Sequence, residues 1–223
     1  MTRSDQSLRA PQQDRAIRTR RAILNAAGAL FDERGYEGTA IADIVSRAGV
    51  TKGALYFHFP DKRALGLAVI EVQLDGMVPL PPQSLKTQQF LDMGYFLAYQ
   101  LRTDPVQRGA SRLTMRQGPI DLGQKRVMTL WIDAVAEVLT EAQKQDELLP
   151  SVNVNEVARC FVGAFAGVQN MSREFDGRVG LGRDLTVLWE ITLPAIVRPA
   201  ILAKLKFAPD RGEQIADSAS SDS

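Results

Sequence analysis

Cysteine and histidine are almost missing from this 223-residue sequence, which contains only Cys160 and His58. A single cysteine excludes an intrachain disulfide, and so few nitrogen and sulfur ligands exclude the clustered zinc sites. We therefore predict no metal and no cofactor. The apolar runs are far shorter than the roughly 20 residues that span a bilayer, and no secretory leader is recognisable. We therefore expect a cytoplasmic protein that neither spans nor binds a membrane.

The sequence also lacks the motifs of the common enzyme classes. It contains no Gly-x-Ser-x-Gly elbow and no glycine-rich phosphate loop after a strand. The only histidine, His58, lies in the segment 39–59, whose pattern indicates a different function, as argued below. No nucleophile, base and orienting group can therefore be assembled around it. We predict that the protein is not an enzyme.

Charge is distributed unevenly although the net charge is only +1. Residues 1–65 hold 11 Lys and Arg against 7 Asp and Glu, a charge of +4, whereas the rest holds 16 against 19, a charge of −3. Such segregation favours a polyanion as the partner of the basic part, because neutralising phosphates releases counterions. The alternative is a basic face that is only solvated.

Strand patterns are nearly absent, and apolar residues recur at helical spacing along most of the chain. The sequence therefore predicts an all-α protein with about nine or ten helices. We expect a flexible N-terminal arm at 1–13 and a three-helix domain at 14–60. A larger helical domain at 61–207 and a disordered polar tail at 208–223 complete the prediction.

The segment TAIADIVSRAGVTKGALYFHF, residues 39–59, fits a helix-turn-helix. Two short helices cross in this motif, and the second presents its first residues to the major groove of DNA. Gly49 can adopt the left-handed conformation that the turn requires. The apolar residues spaced to lock the crossing are Ile44, Ala48, Val50 and Leu55.

The start of the second helix carries the predicted DNA contacts. Thr51, Lys52 and Gly53 fill its first turn, where backbone N–H groups and the helix dipole favour a phosphate. Tyr56 lies four residues after Lys52, so both side chains face the same way. Phe57 either joins this face or packs in the core, whereas Phe59 is expected in the core.

Three further residues around the motif are candidates for phosphate contacts. His58, at the end of the second helix, is expected to pack or to bond a phosphate rather than to act as a pH switch. Thr39 is predicted to cap the first helix and to reach a phosphate. Lys62 lies in the first turn of the helix that begins at Asp61, a position where acidic residues are favoured. A phosphate in front of this turn would explain a lysine there.

The run from Arg20 through Phe59 resembles the DNA-binding domain of the TetR family of bacterial repressors. The likeness is carried by ILNAAGALFDERGYEGTAIADIVSRAGVTKGALYFHFPDK, a little under a fifth of the chain. It implies DNA contacts by residues already singled out: Thr51, Lys52, Gly53, Tyr56, Phe57 and Lys62, with Thr39 on a phosphate. The TKGALYFHF block, the following VIEVQLDG and a tryptophan in the seventh helix resemble the γ-butyrolactone autoregulator receptors of that family.

The larger domain is expected to form a dimer and to bind a small molecule. A single helix-turn-helix makes too few contacts for specific binding, so a homodimer on a pseudo-palindromic operator is expected. The resemblance implies an intersubunit four-helix bundle from the last two long helices; the alternative is the core of a monomer. The helix from Asp61 to Leu74 is expected to belong to both domains and to transmit ligand binding to DNA.

Ligand contacts are predicted in the larger domain. Trp131 alone would be assigned to core packing, but the resemblance implies a pocket tryptophan. Gln73 and Gln169 are candidate polar contacts. Apolar candidates, equally suited to a core, are Met93, Phe96, Met115 and Phe165. Two alternatives remain: a helical interaction module that binds polyanions without sequence preference, and a repressor of this family that has lost its response to the signal.

Overall fold

The computed structural model describes residues 3–75, 80–115 and 124–221. Over these ranges the chain forms eleven α-helices, and its only β-structure is an isolated antiparallel bridge between Leu148 and Val197. The all-α prediction is therefore confirmed. In chain order the helices are α1 (Arg3–Arg34), α2 (Ile41–Ala48), α3 (Lys52–His58), α4 (Lys62–Asp75), α5 (Lys86–Thr103), α6 (Pro105–Met115), α7 (Gln124–Lys144), α8 (Val154–Asp176), α9 (Leu181–Thr192), α10 (Pro199–Leu202) and α11 (Arg211–Ser221).

The chain divides into two compact units. The N-terminal unit combines Met1–Met77 with Asp104–Gln124, and the C-terminal unit combines Val78–Thr103 with Lys125–Ser223. Helices α4 and α6 therefore belong to the same unit as the predicted helix-turn-helix. Our sequence boundary after residue 60 placed α4 with the larger domain and did not anticipate α6 in the smaller one.

The N-terminal unit is built on the long helix α1. Its core joins α1 to α3 and α4 through buried apolar side chains, namely Ile23, Leu30, Phe31, Leu55, Leu65 and Val69. Helix α6 crosses α1 where two glycines meet: a Cβ added to Gly109 would lie 2.3 Å from the carbonyl oxygen of Gly28. The backbones of α1 and α6 therefore touch directly, which only residues without a side chain allow.

The C-terminal unit surrounds an aromatic cluster. Phe90 of α5, Phe161 of α8 and Trp189 of α9 lie with their ring centroids 5.0–5.2 Å apart. The buried carboxylate of Glu147 accepts hydrogen bonds from the backbone N–H groups of Lys86 and Thr87, at 2.8 and 2.7 Å. This carboxylate satisfies donors that the first turn of α5 leaves without helical partners.

Two segments expected to be irregular are helical. Helix α1 begins at Arg3, so the described part of the predicted arm continues the helix, as happens when an existing helix is propagated residue by residue. The predicted disordered tail contains α11, which is held to α5 by an ion pair between Arg211 and the buried Asp92, with N–O distances of 2.7 Å. Pro194 and Pro199 divide the final apolar stretch, as expected.

Candidate DNA interface and sensor residues

The turn between α2 and α3 has the geometry that the sequence predicted. Gly49 adopts φ 64° and ψ 33°, the left-handed region, and its N–H donates to the carbonyl of Ser46. Two residues later the Thr51 hydroxyl accepts a hydrogen bond from the N–H of Ala54 at 3.1 Å and so caps α3. The chain thus ends one helix and begins the next within three residues.

Helices α2 and α3 are fixed to each other and to α1. Ile44 and Leu55 of the predicted locking set are fully buried, and Ala48 and Val50 are half-buried. On the surface, both terminal nitrogens of the Arg47 guanidinium bond the Glu33 carboxylate, at 2.6 and 3.0 Å. That hydrogen bond from Arg47 lowers the pKa of Glu33. The pair ties the end of α2 to α1.

One face of α3 is exposed. Lys52, Gly53, Tyr56 and Phe57 lie on it, with 43% of Tyr56 and 81% of Phe57 accessible. The ammonium of Lys52 lies 5.8 Å from the Tyr56 ring centroid, so the two side chains form one surface. Core packing, the alternative that the sequence left open for Phe57, does not fit such exposure. Phe59 is buried, as predicted.

His58 is half-buried and packs between aromatic rings. Its ring lies edge-on to Phe57, with centroids 5.2 Å apart, and 6.3 Å from the ring of Phe59. This position fits packing, one of the two roles that the sequence left open. A phosphate contact by His58 remains a prediction.

Thr39 is placed differently from the sequence hypothesis. It is only 1% exposed, and its hydroxyl lies 2.8 Å from the carbonyl oxygen of Gly35 and 3.2 Å from that of Leu30. The residue at the N-cap of α2 is Ala40, which has no side-chain cap. The hydroxyl therefore closes the α1–α2 loop from inside, so Thr39 as helix cap is wrong and its phosphate contact does not fit the structure.

Lys62 has a partner within the protein. Its ammonium lies 4.4 Å from the centroid of the Tyr36 ring, a cation–π contact. The start of α4 is capped by Asp61, whose carboxylate accepts from the N–H of Ala64 at 2.7 Å. A phosphate is therefore not needed to explain a lysine in this turn, although DNA binding by Lys62 is still a prediction.

The candidate ligand contacts are divided between the two units. In the C-terminal unit Trp131, Met93 and Phe165 are half-buried against the core, Gln169 is buried, and Phe96 stacks on Tyr99. Met115 is 38% exposed on α6, in the N-terminal unit. Gln73 is on α4, and its side chain lies outside the described residues.

Sequence reasoning missed Trp189. It is 2% exposed within the aromatic cluster, and its ring packs against the Cα of Gly94, where an added Cβ would lie 2.7 Å from the indole. No described residue accepts a hydrogen bond from its buried Nε1–H. The spacing of Leu181, Leu185 and Trp189 marks a buried face of α9, but a spacing does not reveal an unpaired donor.

An exposed apolar surface runs along α8 and α9. It consists of Met171, Phe175, Val179, Val187 and Ile191, of which Phe175 is 84% exposed. Gly163 and Gly167 lie on α8, and a Cβ added to either would meet no described atom of another element within 4 Å. These helices therefore have one face in the core and a second apolar face that no described part of the chain covers, which we name the α8–α9 face.

The described ranges contain neither a membrane-spanning helix nor a metal-binding cluster. No helix there is both long and apolar enough to cross a membrane. Within the same ranges, no three His, Cys, Asp or Glu side chains are grouped to hold a metal ion.

Two family models match this chain. Residues 23–69 match the model of bacterial regulatory proteins of the TetR family. Residues 84–198, about half of the chain, match the model of tetracyclin repressor-like C-terminal domains. The two matches together cover most of both compact units.

Individual relatives agree with the models. The A-factor receptor protein of Streptomyces griseus is 35% identical over 195 residues, 87% of this chain and 70% of that one. The TetR regulator TylP of Streptomyces fradiae has a solved structure with TM-score 0.83 and 41% identity, covering 92% and 99% of the two chains. CprB of Streptomyces coelicolor has a structure solved in complex with its biological operator sequence. It has a TM-score of 0.71 and 29% identity, covering 92% of this chain and 97% of that one. The chain therefore belongs to the TetR family of bacterial regulatory proteins.

Proposed function

We propose that this protein is a transcriptional repressor that binds a pseudo-palindromic operator as a homodimer and is released by a small signalling molecule such as a γ-butyrolactone. The observation that carries the proposal is the exposed face of α3, Lys52, Gly53, Tyr56 and Phe57, held rigidly on a buried three-helix core. A rigid helix with a capped N-terminus, a cation and exposed aromatic side chains suits the major groove. Such a protein acts by binding and works in the cytoplasm, where its operator is.

The first turn of α3 supports contact with the DNA backbone. The N–H groups of a helix N-terminus attract a phosphate, and Lys52 adds a positive charge beside them. An added Cβ at Gly53 would meet only the Thr51 hydroxyl oxygen, at 4.0 Å, so the surface there is open. Open space lets the helix backbone approach the duplex.

The α8–α9 face supports the dimer. A row of large apolar side chains with up to 84% exposure is unfavourable in water and typical of an interface. A two-fold axis through this face would bring four helices together, with the same surface used by both copies. Such a dimer presents two copies of α3, as half-sites about 34 Å apart require.

The C-terminal unit supports a ligand of moderate size and low polarity. The A-factor receptor, which the chain resembles over most of its length, is a γ-butyrolactone receptor. We propose that Trp131, Met93, Phe96 and Phe165 contribute apolar contacts and that Gln169 contributes a polar one. Trp189 adds a buried N–H that could donate to a carbonyl oxygen, the polar group of a lactone.

A route from ligand to DNA runs through α6. Only Asp104 separates the end of α5 from the start of α6, so movement of α5 displaces α6 through the chain. Helix α6 is in backbone contact with α1 at Gly28 and Gly109, and the side chain of Arg112 donates to the carbonyl of Asp32. We propose this route in place of α4, because α4 lies wholly in the N-terminal unit.

A gel shift with promoter fragments tests the function. We expect specific retardation that survives an excess of scrambled duplex. Lys52→Ala should weaken operator binding at least about fivefold, since a lost contact to phosphate or base costs about 1–3 kcal/mol. Lys125→Ala, which removes the same charge from an exposed position on α7, is the matched control.

The alternatives give different results. A module that binds polyanions without sequence preference would be displaced equally by scrambled duplex, and both lysine variants would weaken it alike. A repressor that has lost its response to the signalling molecule would bind the operator more weakly as Lys52→Ala. The wild-type form of such a repressor would stay on its operator at any lactone concentration. Unchanged operator binding by Lys52→Ala would refute the assignment of α3.

A further inference from the structure

The four-residue exposed face of α3 carries one side chain that cannot bond a phosphate. Phe57 is 81% exposed, although Leu55 and Phe59 on either side of it are buried. Lys52 has an ammonium and Tyr56 a hydroxyl, and both can donate to the DNA backbone. A phenyl ring has no donor and no charge, so positioning on phosphates does not explain it.

The surroundings of Phe57 leave its ring available to a ligand. Its recorded aromatic partner is His58, edge-on at 5.2 Å between centroids. Side chains on a helix lean toward the N-terminus, so the ring extends over the turn that contains Gly53, four residues earlier. That residue has no side chain, and the space around it is open. The ring is therefore flanked by free space at the end of α3 that carries Lys52.

The major groove offers one apolar group on its base edges, the C5-methyl group of thymine. The polar atoms that bases present there are hydrogen-bond donors or acceptors, which a phenyl ring cannot pair, and cytosine has only a C5–H where thymine has the methyl group. We propose that Phe57 reads a thymine in each operator half-site through contact with this methyl group. The proposal rests on the proposed function, and it adds a base preference to it.

Replacing thymine by deoxyuridine tests the contact, because deoxyuridine lacks only the methyl group. An operator is first selected from random duplexes with the wild-type protein, and each thymine is then replaced singly. We expect one position per half-site at which the replacement weakens wild-type binding about fourfold, the effect of burying one methyl group. With Phe57→Ala, the same replacement should have no effect.

A second variant separates this contact from general damage to α3. Tyr56→Phe keeps Phe57 and should keep the full sensitivity to deoxyuridine, even if its affinity is lower. The inference is overturned if no thymine position matters to the wild-type protein, or if the sensitivity persists in Phe57→Ala. Those outcomes leave operator binding intact, whereas failure to select any operator would refute the proposed function and this inference with it.

Discussion

Thr39 shows at the residue scale how a small polar side chain can be misassigned. Threonine before a helix is typical of an N-cap, and threonine beside a DNA-reading segment suggests a phosphate contact. The hydroxyl instead lies inside the α1–α2 loop, at hydrogen-bond distance from two carbonyl oxygens. Which of these roles a threonine takes depends on how the loop packs against α1, whose Leu30 carbonyl oxygen lies beside the hydroxyl.

Substitution of Thr39 distinguishes the two roles. Thr39→Val keeps the shape but removes the donor, and we expect it to lower the free energy of unfolding by about 1–3 kcal/mol, because a buried carbonyl loses a partner. Thr39→Ser keeps the hydroxyl and should cost less. Chemical denaturation followed by circular dichroism measures both. A phosphate contact would instead appear as weaker operator binding by folded Thr39→Val with unchanged stability.

Trp189 carries a buried Nε1–H donor that no described residue accepts. Trp189→Phe removes the Nε1–H but keeps a ring between Phe90 and Phe161. If a ligand carbonyl accepts from this N–H, the concentration of an acylated γ-butyrolactone that releases half of the operator should rise about tenfold, the effect of about 1.4 kcal/mol.

Controls for this prediction use the ligand and the second tryptophan. The tetrahydrofuran analogue without the ring carbonyl should act equally on the wild-type protein and on Trp189→Phe. Trp131→Phe tests the tryptophan that the family resemblance favoured. Equal lactone response in Trp189→Phe and wild type would show that the N–H does not serve the ligand.

At the element scale, most helices were predictable and their partners were not. Helices α2 and α3 follow from apolar spacing, Gly49 and Thr51, all of which act within a few residues. Helix α11 depends on Asp92 of α5, more than a hundred residues earlier, which pairs with Arg211. The tail was polar and small in composition, so no local signal indicated that a distant carboxylate would hold it.

The site was predictable to the same extent. Lys52, Gly53 and Tyr56 lie on the expected face because helical spacing alone fixes which residues share a face. The exposure of Phe57 required knowledge of which aromatic residue the core accepts, and Phe59 takes that place. Lys62 of α4 contacts Tyr36 of the loop between α1 and α2, a partner that no helical periodicity indicates.

The crossing of α1 and α6 gives a prediction at this scale. Gly109→Ala places a methyl group 2.3 Å from the Gly28 carbonyl oxygen, so the two helices must separate. We expect a loss of about 1–3 kcal/mol in the free energy of unfolding, as in other overpacked sites. Hydrogen exchange should show faster opening of α1 and α6, with α8 unaffected. An unchanged denaturation midpoint would contradict the close contact.

At the scale of the whole molecule, sequence specificity requires two copies of α3, and among the described residues the C-terminal unit exposes the larger apolar surface that could join them. Among the described residues, the exposed large apolar side chains of the N-terminal unit are Ile17, Tyr56, Phe57 and Met115. The C-terminal unit, by contrast, leaves the α8–α9 face open. In the proposed arrangement, with dimerisation in one unit and DNA contact in the other, operator affinity depends on how the two copies of α3 are spaced, which a ligand can change.

Phe175→Glu tests this dependence. A two-fold interface places the substitution twice, and burying two carboxylates without partners is strongly unfavourable. We expect a monomer by sedimentation velocity, with intact helical content and operator affinity lowered about 100-fold or more, to the level of non-specific binding. Ile17→Glu, at an exposed apolar position on α1, is the matched control and should remain dimeric. A dimeric Phe175→Glu would show that the α8–α9 face is not the dimer interface. A monomeric Phe175→Glu that still binds the operator tightly would show that DNA recognition does not need the dimer.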